Sequence, residues 1–157
     1  MNSTELRSMI ASHPDRGTLP IECVMAICTI ESSLNPWAYR YEPSYKWLVG
    51  QDLSASERCG QMISWGLMQV MGGVAREHGF TGPFPALCEP MTGLRYGMLH
   101  LKKFWAKYHN WPDTLASYNA GRPVRIDGKY QNQVYVDKAL KWWNQYETHV
   151  PLKESEV

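Results

Sequence analysis

Residues 20–36 read PIECVMAICTIESSLNP, and the way this stretch folds decides what the rest of the chain must do around it. As a helix at about 100° per residue it places Glu22, Thr29 and Ser33 on one face, and Val24, Ile27, Cys28 and Glu31 on the opposite one. Glu31 therefore points where the apolar residues point. Pro20 suits a first helical turn, and Asn35-Pro36 predicts the stop, because the residue before a proline is pushed out of the α region. Two effects of one sign act on a carboxylate at that end: desolvation by apolar neighbours and the negative end of the helix dipole. Both raise its pKa, and a glutamate held protonated near neutral pH has the property that a general acid needs. The competing reading is a surface glutamate at a frayed helix end.

Working outward, Asn2 or Ser3 caps a short helix carrying Leu6, Met9 and Ile10, which ends near His13-Pro14. Residues 37–64, WAYRYEPSYKWLVGQDLSASERCGQMIS, lack clear periodicity and read as a surface excursion, with part of it helical after Pro43 and room for a small β-hairpin. Insertions of this kind are more often functional walls or lids than connectors. Residues 64–80, SWGLMQVMGGVAREHGF, predict a helix entered at Ser64 to Gly66 and closed by Gly79. Thr92 is expected to cap a long helix with Leu94, Met98, Leu101, Trp105 and Tyr108 inward, and WPDTLASYNAG gives another, from Pro112 to Gly121. RPVRIDGKY reads as a loop. The last helix, QNQVYVDKALKWWNQYE, carries a stripe of Tyr135, Ala139, Trp142, Trp143 and Tyr146, and the tail after Pro151 is expected to be charged and frayed. The expected fold class is mainly α.

The chain has 157 residues, enough for a single domain over 1–157 around one core without disulfides or metals. Seven Trp and nine Tyr stand against three Phe, a balance that suits stacking on sugar rings as well as core packing. A net charge of +1 without a basic run argues against nucleic acid as a partner. Cys23, Cys28, Cys59 and Cys88 match no zinc spacing, and Cys23 and Cys28 diverge by about 140° on one helix, so reduced buried thiols are expected. The five histidines show no ligand spacing. No metal and no cofactor are expected. With neither an apolar h-region nor a bilayer-length apolar run, the expectation is synthesis in the cytoplasm without an export signal, and no stable membrane insertion.

Four stretches in order, ESSLNP (31–36), GLMQV (66–70), SYNAG (117–121) and YVDKAL (135–140), resemble the signature motifs of the soluble lytic transglycosylase family over about Pro20 to Trp143. The resemblance implies a lysozyme-like, mostly helical single domain that cleaves peptidoglycan glycan strands. It makes Glu31 the catalytic acid/base and Ser33, Met68, Gln69, Tyr118, Asn119 and Tyr135 the substrate-binding candidates. Met68 and Gln69 match cleft-floor positions. Tyr118 and Asn119 match those that orient the glutamate and the substrate's N-acetyl group, and Tyr135 is the aromatic beside the carboxylate. Ser117 stands where the family more often has Ala, and GRPVRIDG replaces its glycine-rich turn, so one cleft rim differs. The compact length most resembles phage-encoded members, which act in the periplasm as endolysins or virion components alongside other lysis or virion proteins.

One carboxylate agrees with that chemistry. Ordinary glycosidases need a second acid at fixed separation. Here Glu22 is on the opposite face, Glu77 has polar neighbours, and Glu42 and Asp52 read as solvated residues of the excursion. Gln69 has the bland alternative of bonding its own backbone, and Tyr118-Asn119 that of closing a helix at Gly121. The rival functions are a goose-type-lysozyme-like hydrolase and a structural virion protein with a relict cleft.

Overall fold

A computed structural model describes residues 1–148; the tail after Pro151 lies outside them. The described residues are mainly helical, as the sequence predicts, with two small antiparallel sheets where at most one hairpin, in the excursion, was expected. Helix α1 (Ser3–Ser12) starts in a capping box in which Asn2 and Glu5 satisfy each other's backbone N–H groups. Its apolar face, Leu6 and Ile10, lies on α2 (Ile21–Ser32), where Cys23 to Cys28 are all buried. The face opposite Glu31 is covered too. Glu22 takes a 2.6 Å bond from Arg7, and the Thr29 hydroxyl meets that of Tyr146 at 2.7 Å.

Helix α2 stops before Asn35-Pro36. Ser33 (φ 52°) and Leu34 (φ 62°) are left-handed, and their N–H groups close on the carbonyls of Thr29 and Cys28. The stop is thus a local backbone closure, and Pro36 only forbids resumption.

The excursion holds β1 (Tyr39–Tyr41) and α3 (Ala55–Gln61), the latter capped by Ser54. β1 pairs antiparallel with β2 (Ile63–Trp65), which pairs with β3 (Val70–Met71); Tyr39 faces Trp65 and Ser64 faces Met71. This corrects the expected helix from Ser64. Gly66 (φ 70°) and Gln69 (φ 48°) reverse the chain instead, and helix α4 begins only at Gly72 (Gly72–Glu77). Gly66 is required twice over, since a Cβ there would also lie 2.4 Å from the Leu87 carbonyl oxygen.

After a 3₁₀ turn at Phe84–Cys88 comes α5 (Pro90–Tyr108), capped by the Glu89 carboxylate on the N–H groups of Met91 and Thr92 rather than by Thr92. Helix α6 (Trp111–Ala120) is capped by Asn110 and ends at left-handed Gly121. The expected loop after it contains a hairpin, β4 (Arg125–Ile126) with β5 (Lys129–Tyr130), turned by Asp127 and Gly128, both at positive φ. Helix α7 (Gln133–Thr148) lies across α2. All four cysteines are free. Cys23, Cys28 and Cys88 are buried as expected, whereas Cys59 is exposed on α3.

Candidate active site

Three chain segments converge on the C-terminal turn of α2. The Ser32 hydroxyl, next to Glu31, donates to the Leu67 carbonyl at 2.8 Å, which ties the helix end to the β2–β3 turn. The Tyr118 hydroxyl on α6 donates to the Met68 carbonyl of the same turn at 2.8 Å. From α7, the Tyr135 hydroxyl donates to Glu31 Oε1 at 2.8 Å. The glutamate is therefore held from one side by a phenol and set against a braced turn.

Glu31 is partly buried, and burial pushes its carboxyl above the ordinary glutamate value. The Tyr135 bond and the Arg40 charge pull it down, and the Glu42 charge pushes it up. Burial wins. Both tyrosines are raised far above the ordinary phenol value by burial and by the charge of Glu31, so they remain O–H donors. Cys28, buried beneath, is raised by burial and again by Glu31, which keeps it a neutral thiol.

The structure places the other candidates differently. Met68 is fully buried, its side chain pressed on α5 where Gly97 leaves room: a Cβ there would come 2.3 Å from the sulfur. Its carbonyl, not its thioether, reaches Tyr118. The Gln69 amide donates to the carbonyls of Ala38 and Gly66 at 3.0 Å each, and its oxygen accepts from Ser64 at 2.8 Å, so it pins β1 to the turn. Asn119 is exposed at the end of α6 and accepts from Asn132 at 2.9 Å. Ser33 is exposed beyond the end of α2 and lines a groove toward α7. Glu31 and Tyr135 are thus in direct contact and Tyr118 bonds the adjoining turn, to which Gln69 and Met68 belong; Asn119 bonds Asn132 instead, and Ser33 lines the groove toward α7 on the other side of α2.

Near the site, Arg40 was missed in the sequence and Glu42 was read there as freely solvated. Arg40 and Glu42, ion-paired with each other at the end of β1, lie close enough for their charges to act on Glu31, and Glu42 is partly buried rather than freely solvated. Tyr-Arg-Tyr offers a single β alternation, and that was the only signal available. Glu22 and Glu77 are committed elsewhere, to Arg7 and Lys103. Among the described residues no group of three or more His, Cys, Asp or Glu could hold a metal ion, and no helix is long and apolar enough to cross a membrane.

The family model described as Transglycosylase SLT domain matches residues 8–141. No curated protein and no solved structure matches the chain.

Proposed function

The chain belongs to the transglycosylase SLT domain family, whose substrate is peptidoglycan, and from that membership and the setting of Glu31 we propose a lytic transglycosylase that cleaves the MurNAc-β-1,4-GlcNAc bond. The observation that carries the reading is Glu31 itself, a carboxyl raised by burial and aimed by the 2.8 Å bond from Tyr135. As the acid it protonates the leaving glycosidic oxygen. The substrate's own N-acetyl oxygen stabilises the oxocarbenium ion, which removes the need for a protein nucleophile. As the carboxylate, Glu31 then takes the proton from the muramoyl C6 hydroxyl, whose oxygen closes onto C1. Held intramolecularly, that hydroxyl outcompetes water by its effective concentration. The product end is 1,6-anhydromuramic acid. Tyr135 steadies the carboxylate between the two steps, and Tyr118 holds the turn on which the sugar rests.

Glu42 favours a second reading. A partly buried carboxylate whose charge reaches Glu31 could activate water, giving a hydrolase. Mass analysis of fragments released from purified peptidoglycan separates the two. Anhydro ends, lighter by one water and inert to borohydride, support the transglycosylase; reducing ends support the hydrolase. Glu31→Gln is expected to lower cleavage by more than about 10²-fold, the scale of general acid catalysis, and wild-type-like cleavage by it removes both readings.

The proposal extends to the place of action. Peptidoglycan as the family's substrate supports action on the periplasmic wall, after lysis or with a virion, so the protein made inside Gram-negative cells should leave them intact and added membrane damage should lyse them.

A further inference from the structure

On the side of α2 away from Glu31, its last turns and the middle of α7 enclose a groove of about 450 Å³. Thr29, Ile30 and Ser33 form one wall, and Lys138, Lys141 and Trp142 stand on the other. Neither lysine has an ion-pair partner among the described residues, so the groove is cationic. Its aromatic wall is held still. Trp142, 38% exposed, stacks on Tyr146 at 5.9 Å, and the Tyr146 hydroxyl is anchored on Thr29 at 2.7 Å.

We propose that this groove binds the carboxylate-bearing peptide stem of the wall substrate, with Lys138 and Lys141 on its carboxylates and Trp142 against its aliphatic side chains. This rests on the peptidoglycan reading above. Charge complementarity is one reason: the glycan backbone offers only hydroxyls and amides, whereas a stem carries free carboxylates, which suit ammonium groups beside hydroxyls. Placement is the other. α7 carries both Tyr135, which bonds Glu31, and Trp142, which lines the groove seven residues or about 10 Å further along the helix axis. The groove opens on the other face of α2, so a stem enters it around the end of that helix. Stem-bearing glycan would then be held at two points, the sugar at the cleft and the peptide on α7.

The test uses the inactive Glu31→Gln protein and a free stem tetrapeptide, followed by NMR titration. Binding that shifts the Trp142 indole and weakens about tenfold in Glu31→Gln carrying Lys138→Glu and Lys141→Glu supports the proposal. Equal binding with and without the lysines, or acetate binding as well as the peptide, overturns it. With active enzyme, the same two lysine changes should lower the ratio of kcat/KM on stem-bearing to amidase-stripped glycan by about tenfold, and an unchanged ratio overturns it. Loss of the transglycosylase reading would appear instead in the products, with peptide binding to the groove measured separately.

Discussion

The Tyr135 hydroxyl does two things to Glu31: it fixes the carboxyl in space and it stabilises the charged form. Tyr135→Phe removes both. The pKa of Glu31 should then rise further, because burial is left opposed only by Arg40, so the acid form survives to higher pH. The alkaline limb of kcat/KM against pH should move up while the maximum falls by about tenfold or more, the worth of one hydrogen bond to a charged group. Glu42→Gln should move the same limb the other way, since the Glu42 charge raises Glu31 and its removal also frees the Arg40 guanidinium. Two limbs moving in the same direction would mean that Glu31 is not the group titrating. A collapse of activity in Glu42→Gln, rather than a shift, would mark Glu42 as a base for water.

Among the elements, the β2–β3 turn bears the most structural demand, because Ser32 and Tyr118 bond to its carbonyls and its own Gln69 ties it to Ala38. Gly66→Ala should destabilise by about 2–4 kcal/mol, combining left-handed strain with the clash on Leu87, and should lower the urea midpoint at unchanged slope. Gly121→Ala has the strain without the clash, since nothing lies near its Cβ position, and should cost about 1 kcal/mol. Equal losses would show that the Leu87 contact relaxes freely. Helices with whole turns and side-chain caps were legible in the sequence: Asn2 opening α1, Gly121 closing α6, and the face of α2 that carries Glu31. Strands of two or three residues were not, because they are too short to show a period. GLMQ therefore looked like the start of a helix, although Gly66 permits the reversal that occurs. The Asp127-Gly128 pair did carry a hairpin signal, masked by strands of two residues. Glu89 displaced Thr92 as cap because Pro90 fits the first turn and leaves the carboxylate before it free to cap. At the site, catalytic-type residues on helices were legible, whereas Arg40 and Glu42 were brought to Glu31 by sheet pairing that no local pattern encodes.

Across the whole molecule, two partly buried groups with shifted pKa values act on the pH dependence of stability from opposite ends. His100, edge-on to Phe104 at 4.8 Å and His78 at 5.8 Å and tilted against Tyr118 at 5.6 Å, is pushed down to about 3 by burial, then by the charges of His78 and Lys103. His78 is lowered by burial and by Lys103, against the pull of Glu77. A base with a depressed folded pKa stabilises the fold above its ordinary value near 6.5, and that stability is lost as pH falls toward 3. Glu31 acts in the other direction: a carboxyl raised in the folded state stabilises below its ordinary 4.5, and the contribution is lost as pH rises through its folded value. His100→Leu should therefore flatten the acid side of the Tm profile, at little cost in hydrogen bonding because Nδ1 is buried without a partner. Glu31→Gln should match wild type in Tm near pH 4 and exceed it at pH 7 to 8, where the wild type carries a partly buried charge that glutamine lacks. Calorimetric scans of the three proteins from pH 4 to 8 check both limbs. A Glu31→Gln protein no more stable than wild type at pH 8 would mean that Tyr135 and Arg40 fully offset the burial of the charge, which would leave Glu31 without the raised pKa on which its role as an acid depends.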